Sequence, residues 1–412
     1  MMMECSLCGK SYNLNDLIYR CEVCDYPLEV RYDYERIYSS LKKGRLFKDR
    51  QYNIWRYIEL LPPTRKIISM DEGWTPLIKS ERLNERLKVK NLFIKDETRN
   101  PTYSFKDRGS SVGVSKAIDI GARFVICAST GNMATSLAAY SARAGIGCVI
   151  LIPSDTPLEK LTHTLVYSPI VISMGVPYSQ LYRFAIELSV KYGFYVVQSD
   201  SPMRVEGQKT ASFEICEQLD WNVPDKILIP TSSGGNISAY WKGLKEFYEL
   251  GLINELPQLI AIQAEGCSPI VSAFKNGYDK IRPFDKSRTI AHAISNPDPP
   301  SGVRVLKLLR ESKGFAESVS DDEMLRAQIL LAKYTGIFAE PAGAASIAGL
   351  IKLIEDDRIE EDEKIVCVVT GSGLKDIKSI SPMIGKPFEA NSIDELNNIL
   401  QTFFVKIQFS NF

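Results

Sequence analysis

From about residue 90 onward, short apolar runs alternate with longer amphipathic ones. The runs at 92–95, 124–127, 147–153, 171–174, 195–198, 227–230, 258–264 and 365–370 predict strands. Helical spacing predicts helices over 106–119, 132–144, 157–165, 178–191, 206–219, 236–250, 321–335 and 342–355. Strands that are apolar throughout and alternate with helices predict an α/β fold, with parallel sheet covered on both faces. Upstream, residues 32–61 read as helical, rich in Tyr, Arg and Glu, and end at Pro62-Pro63. No internal repeat and no low-complexity segment interrupts the pattern.

In such a sheet, ligands bind beyond the carboxyl ends of the strands, where loops lead into helix N-termini. Four loops there carry candidate chemistry. The first runs from Lys95 to Gly109 and places Lys106 at a loop-to-helix junction beside Phe105. A helix N-terminus disfavours a cation and desolvation lowers an amine's pKa further, which suits a lysine that must react as the neutral amine. A solvated first-turn lysine would read the same way. The second loop, Ser129-Thr-Gly-Asn132, offers hydroxyls and amides to an anion, or simply caps its helix. The third, Thr231-Ser-Ser-Gly-Gly-Asn236, reads as a phosphate cradle without a P-loop lysine, or as a plain turn. It is not G-x-G-x-x-G, which disfavours a dinucleotide. The fourth, Thr370-Gly-Ser-Gly373, would turn the Thr370 hydroxyl into the same crevice. An amine, a phosphate cradle and a hydroxyl beyond strand ends are more specific together than any one alone.

Composition narrows the classes. Lys plus Arg and Asp plus Glu both total 50, so formal charge is zero and no basic run points to nucleic acid or anionic membrane. The apolar stretches are of strand length, whereas a membrane helix needs about 20 residues. Met1 to Lys10 lacks a basic stretch followed by an apolar run, so no secretory leader is expected. Cys127, Cys148, Cys216, Cys267 and Cys367 are scattered in apolar surroundings, which predicts a reducing cytoplasm. The remaining four form Cys5-x2-Cys8-x12-Cys21-x2-Cys24, the spacing of a zinc ribbon with four thiolates for structural zinc. A ribbon that has lost its metal, or a pair of redox thiols, would share that spacing.

From Asp71 to about Asp376 the chain resembles the fold type II pyridoxal-phosphate enzymes, the tryptophan synthase β family, and within it the threonine synthases. The residues that carry this are Glu72-Gly-Trp-Thr-Pro-Leu77, Asn100-Pro-Thr-Tyr-Ser-Phe-Lys-Asp-Arg-Gly109, Ser129-Thr-Gly-Asn132 and Arg204-Val-Glu-Gly-Gln-Lys-Thr210. They continue with Gly234-Gly-Asn-Ile-Ser-Ala-Tyr-Trp-Lys-Gly243, Glu340-Pro-Ala-Gly-Ala-Ala-Ser346 and Thr370-Gly-Ser-Gly-Leu-Lys-Asp376. The resemblance implies two doubly wound lobes: a ribbon-like module over 1–31, a helical extension over 32–70, and a catalytic unit over 71–412 with a smaller lobe near 116–204. It implies pyridoxal phosphate as cofactor, with Lys106 as the Schiff-base lysine and proton carrier. Asn132 would meet the cofactor's phenolic oxygen, Ser232, Ser233, Gly234, Gly235 and Asn236 its phosphate, and Thr370 its pyridine nitrogen. Ser129, Thr130, Ser199 and Arg204 would bind the amino-acid substrate, Arg204 by its phosphate. The implied reaction turns O-phospho-L-homoserine and water into L-threonine and phosphate, in a homodimer.

Three departures lie where substrate is expected to touch. Met133 stands at a position where the family commonly has a hydroxyl residue, Tyr103 replaces a usual glycine, and 293–302 lacks the family's Ile-Arg-Ile-Gly-Asn-Pro pattern. Cysteate synthase and threonine or serine dehydratase chemistry on the same fold stay open at this point, as does a catalytically silent regulatory or binding protein. His163 is expected to be solvated and His292 structural.

Overall fold

The computed structural model describes residues 1–43, 47, 49–176 and 178–409. They form two compact units, Met1–Asp376 and Ile377–Phe412. In chain order the first begins with β1 (Met2–Cys5), β2 (Ser11–Tyr12), β3 (Leu28–Arg31) and α1 (Tyr34–Lys43). Next come β4 (Leu77–Lys79), α2 (Glu81–Leu87), β5 (Asn91–Asp96), α3 (Lys106–Asp119), β6 (Phe124–Ala128), α4 (Asn132–Ala144) and β7 (Gly147–Pro153). They are followed by α5 (Leu158–Leu165), β8 (Ile170–Met174), α6 (Tyr178–Tyr192), β9 (Tyr195–Val196) and α7 (Pro202–Gln218). The unit ends with β10 (Lys226–Pro230), α8 (Gly235–Glu249), β11 (Gln258–Ala264), α9 (Pro269–Lys275), α10 (Gly302–Glu311), β12 (Phe315–Val319), α11 (Asp321–Thr335), α12 (Pro341–Glu355) and β13 (Lys364–Val369). The second unit consists of α13 (Ile377–Ile380), a short 3-10 turn and α14 (Ile393–Phe409). No helix among the described residues is long and apolar enough to cross a membrane.

Three sheets result. A small antiparallel one, in the order β2-β1-β3, carries the N-terminal cysteines. The largest runs β12-β11-β10-β13-β5-β4 and is parallel except for its antiparallel edge, β4. The third, β8-β7-β6-β9, is parallel, and all its strands lie in the chain between β5 and β10. The strand period of two explains why the large sheet is covered on both faces. Leu228, Ile260, Ile262, Ile365, Cys367 and Val369 pack into one apolar core; Ile227, Ile229, Leu259, Ala261, Val366 and Val368 pack into the other.

Two parts differ from the sequence pattern. The stretch expected as helix over 32–61 is α1 plus a separate 3-10 segment, Ile54–Leu60, and residues 44–46 and 48 lie outside the described residues. Asn53 starts the 3-10 segment by accepting from the Trp55 amide, so a local cap breaks the run. The pattern also omitted β4, α2, α9, α10 and β12. β4 and β12 are sheet edges, which need only one apolar face, and β12 places Glu317 at a buried position where Lys275 and Lys352 neutralise it.

A buried ion cluster fixes the start of α3. Arg108 reaches both Glu97 and Glu214 at 2.5–2.7 Å, and Lys95 reaches Glu214 at 2.7 Å, all four side chains being 0% exposed. Burial alone would raise the Glu214 pKa, but Arg108 and Lys95 pull it down to about 2. Glu214 also accepts from the amides of Trp74 and Thr75, which ties the Glu72–Leu77 loop to α7. Behind Arg108, α7 crosses α3 so closely that a Cβ on Gly207 would lie 2.0 Å from the Arg108 carbonyl oxygen. Arg108→Leu leaves two buried carboxylates short of a cation and is expected to destabilise the fold by about 3–5 kcal/mol, measured by urea unfolding.

Candidate active site

The carboxyl ends of three neighbouring strands, β10, β13 and β5, release the three loops that meet at the site. Lys106 is the first residue of α3. The loop before it is tied to the end of β13: the Phe105 amide donates to the Thr370 carbonyl at 3.1 Å, and Ser104 bridges to Gly371. Asp107 holds the loop from below, accepting from the Thr102 amide and hydroxyl and from the Ser136 hydroxyl, each at 2.6 Å. Burial pushes the Asp107 carboxyl up to about 6 against those hydrogen bonds. The Lys106 Nζ lies 4.2 Å from the centre of the Phe105 ring and lines the pocket. Burial, then the nearby Arg204 guanidinium, lower its pKa to about 7, with Glu340 opposing.

Facing Lys106 is the turn from β10 into α8. Gly234 has φ of +89°, which a side chain would strain, and a Cβ on Gly235 would lie 2.5 Å from the Ser199 carbonyl oxygen. Ser233 accepts at its hydroxyl from Asn296 at 2.8 Å and at its carbonyl from the Ser301 amide at 3.0 Å. Both polar atoms of the buried Asn236 side chain lack a partner among the described residues, as does the Gln208 Oε1. Buried polar atoms without partners, beside hydroxyls and the N-terminal amides of a long helix, fit a phosphate group.

Thr370 and Asn132 complete the lining. The Asn132 Nδ2 donates to both oxygens of Glu340, at 2.9 and 3.1 Å. Glu340 is buried and its pKa is raised by that burial, although Lys375 and Asn132 oppose the shift. Glu340 and Gln208 also line the pocket, and neither is expected there from the sequence. For Glu340 the available signal was a charged residue at the N-cap of a glycine- and alanine-rich helix start; Gln208, in the middle of α7, had none.

The expected substrate residues separate. Ser199 lines the pocket, whereas Ser129, Thr130 and Arg204 do not. Arg204 is 0% exposed and lies behind the backbone of Lys106. It donates to the Ser110 hydroxyl at 3.1 Å and to the Lys106 carbonyl at 3.4 Å, and its Nε has no partner among the described residues. The departures separate too. Met133 is buried away from the lining, and Tyr103 is 47% exposed. Tyr103 has φ of +65°, the left-handed region that glycine favours, so the usual glycine at that position has a backbone reason. Of the three, only 293–302 contributes to the lining, through Ala293 and Ile294. His163 is not freely solvated: it sits partly buried, 6.1 Å from the Tyr103 ring and 6.0 Å from Tyr167. His292 is exposed and lies outside the lining.

The cysteines of the N-terminal sheet converge. The sulfurs of Cys5, Cys8, Cys21 and Cys24 lie within 4.8 Å of one another, with Cys5 to Cys24 at 3.4 Å and Cys8 to Cys21 at 3.5 Å. None of the nine thiols is in a disulfide.

Residues 68–371 match the family described as pyridoxal-phosphate dependent enzymes. The chain is 46% identical over 379 residues to a threonine synthase of Methanocaldococcus jannaschii, covering 91% of this chain and 93% of that one. It is 42% identical to a threonine synthase of Methanosarcina acetivorans, covering 93% and 95% respectively. The fold is similar to that of maize serine racemase, with TM-score 0.63, 20% identity, and coverage of 82% of this chain and 94% of that one. It is also similar to threonine deaminase isoform 2 from Solanum lycopersicum, with TM-score 0.62, 24% identity, and coverage of 75% and 84%.

A lysine whose pKa is lowered becomes the reactive neutral amine above that lowered value. In cofactor-stripped protein, the rate at which the Lys106 amine combines with an added aldehyde is therefore expected to rise through pH about 7. An unperturbed lysine would titrate near ~10.4. Arg204→Gln removes a cation that favours the neutral amine, so the midpoint moves upward, followed by stopped-flow absorbance.

Proposed function

The chain belongs to the pyridoxal-phosphate dependent enzymes, within the threonine synthase family, and on that premise we propose how its own residues carry the reaction. It is a pyridoxal-phosphate dependent lyase with threonine synthase activity. The observation that carries the reading is one pocket lined by Lys106, Thr370 and the turn from Ser232 to Asn236. When bound, the cofactor supplies an electron sink for negative charge on substrate carbons.

Lys106 would hold the cofactor covalently and, once released by substrate, act as the proton carrier of O-phospho-L-homoserine. It would take protons from Cα and then Cβ and return protons to Cγ and Cα, while phosphate leaves Cγ and water adds at Cβ. Its lowered pKa supports this, because one amine must both accept and donate near neutral pH. Ser232, Ser233, Gly234, Gly235 and Asn236 would hold the cofactor phosphate, and Asn132 its phenolic oxygen. Thr370 would face the pyridine nitrogen; a neutral hydroxyl there does not keep that nitrogen protonated, which tempers the sink and suits elimination and replacement. Ser129, Thr130 and Ser199 would meet the amino acid. Arg204 would meet the substrate phosphate by a planar fork that matches two oxygens, which requires its buried side chain to turn out from behind the Lys106 backbone.

Cys5, Cys8, Cys21 and Cys24 would hold a structural zinc ion. Four Zn–S bonds of about 2.3 Å in a tetrahedron put sulfurs about 3.8 Å apart, near the separations present here. Nine thiols without a disulfide support a reducing, cytoplasmic setting.

Purified protein given O-phospho-L-homoserine is expected to release phosphate and threonine in equal amounts, and no phosphate release with cofactor bound would sink the substrate assignment. Lys106→Ala should abolish turnover. Arg204→Ala is expected to raise the KM for the phosphorylated substrate; an unchanged KM with a shifted pH profile would leave it only the tuning of Lys106. Elemental analysis should find one zinc per chain, lost in Cys8→Ser.

A further inference from the structure

We propose that Arg20 is a positioning residue for the phosphate cradle, through which the four-cysteine module braces the active site. Arg20 directly precedes Cys21, and its guanidinium leaves the module toward the catalytic lobes. One nitrogen, Nη1, reaches two segments far apart in sequence: Asp200 Oδ2 at 2.7 Å and the Pro300 carbonyl at 3.4 Å. The rest of the guanidinium stays on its own knuckle, donating to the Asp25 carboxylate and carbonyl. Asp200 is almost fully buried, and its other oxygen accepts from the Tyr182 hydroxyl at 2.7 Å.

Those two segments are the walls of the cradle. Asp200 follows Ser199, whose carbonyl oxygen packs so close to Gly235 that no side chain fits between them. Pro300 precedes Ser301, whose amide donates to the Ser233 carbonyl and whose own carbonyl oxygen would lie 3.2 Å from a Cβ on Gly234. Arg20 thus ties, from outside the pocket, the two strips of backbone that hold the glycine turn in shape. The neighbouring Tyr19 adds a second tether, its hydroxyl accepting from the Val196 amide at 2.9 Å. A metal ion at Cys21 would hold the Arg20 backbone in place. This last link rests on the proposed zinc site; the contacts of Arg20 do not.

A brace of this kind acts on the phosphate part of the cofactor alone. Arg20→Ala is expected to weaken pyridoxal phosphate binding about tenfold, the effect of one lost charge-assisted contact. Its affinity for pyridoxal, which lacks the phosphate, should stay unchanged, and Arg20→Lys should recover part of the loss. Both affinities are read by absorbance titration of cofactor-stripped protein, with metal content and circular dichroism measured alongside. Chelating the metal from the parent protein should reproduce the phosphate-specific loss and add little to Arg20→Ala. Equal affinity of folded Arg20→Ala and parent protein for pyridoxal phosphate would overturn the proposal, as would equal losses for both ligands. Should Arg20→Ala not fold, Asp200→Asn removes the charge on the other side and decides by the same ratio. A parent protein without metal would overturn the zinc assignment alone, since the Arg20 comparison still tests the brace.

Discussion

Four charged side chains with no access to water, Lys95, Glu97, Arg108 and Glu214, hold the loop that carries Lys106 in place. A buried charge is tolerated only when paired and hydrogen-bonded, so the cluster accepts very little rearrangement. Its members come from β5, the turn after it, α3 and α7, and Glu214 reaches the Glu72–Leu77 loop as well. Arg108 is two residues from Lys106 on the first turn of α3. The geometry that lets one guanidinium meet two carboxylates therefore also fixes where the Lys106 amine stands.

The site built on that anchor treats its two charged tasks differently. Burial and a neighbouring guanidinium lower the amine's pKa to about 7, so that it can both accept and give a proton near neutral pH. The turn from Ser232 to Asn236 contains no cationic side chain; it offers hydroxyls, side-chain amide atoms without a partner among the described residues, and the N-terminal end of a 15-residue helix. Partial charges fixed in the backbone need no reorganisation when an anion arrives. Glycine is required at 235 because the Ser199 carbonyl approaches too closely for a side chain, and at 234 because φ is +89° and the Val305 side chain stands in the way.

A second buried network joins the N-terminal segment to this body. Lys209 and Lys242 lie between Glu206 and Glu246, Tyr32 donates to Glu206 at 2.7 Å, and Lys242 also donates to the Val30 carbonyl at 2.9 Å. The strand that follows the cysteine knuckles is therefore held by the same helices, α7 and α8, that frame the pocket. A module that packs this way is part of the catalytic body, and its contacts at Arg20 bear on the cradle for that reason.

Much of this was legible in the chain itself. Continuous apolar runs alternating with helical spacing located the inner strands of both parallel sheets and most of the helices beside them, because burial on both faces is written locally. The loops around Lys106, Asn132, Ser232 and Thr370 were legible because strand ends in such sheets converge, and the cysteine pairs because knuckle spacing is short-range. The tertiary structure alone decided the rest. Edge strands β4 and β12 carry too little apolar pattern to announce themselves. The buried place of Arg204, the pairing of Glu340 with Asn132, the left-handed backbone at Tyr103 and the reach of Arg20 to Asp200 and Pro300 depend on neighbours that sequence order does not bring together. The sequence names which groups are available; charge state and contact follow from through-space distance and burial, and those exist only once the chain has folded.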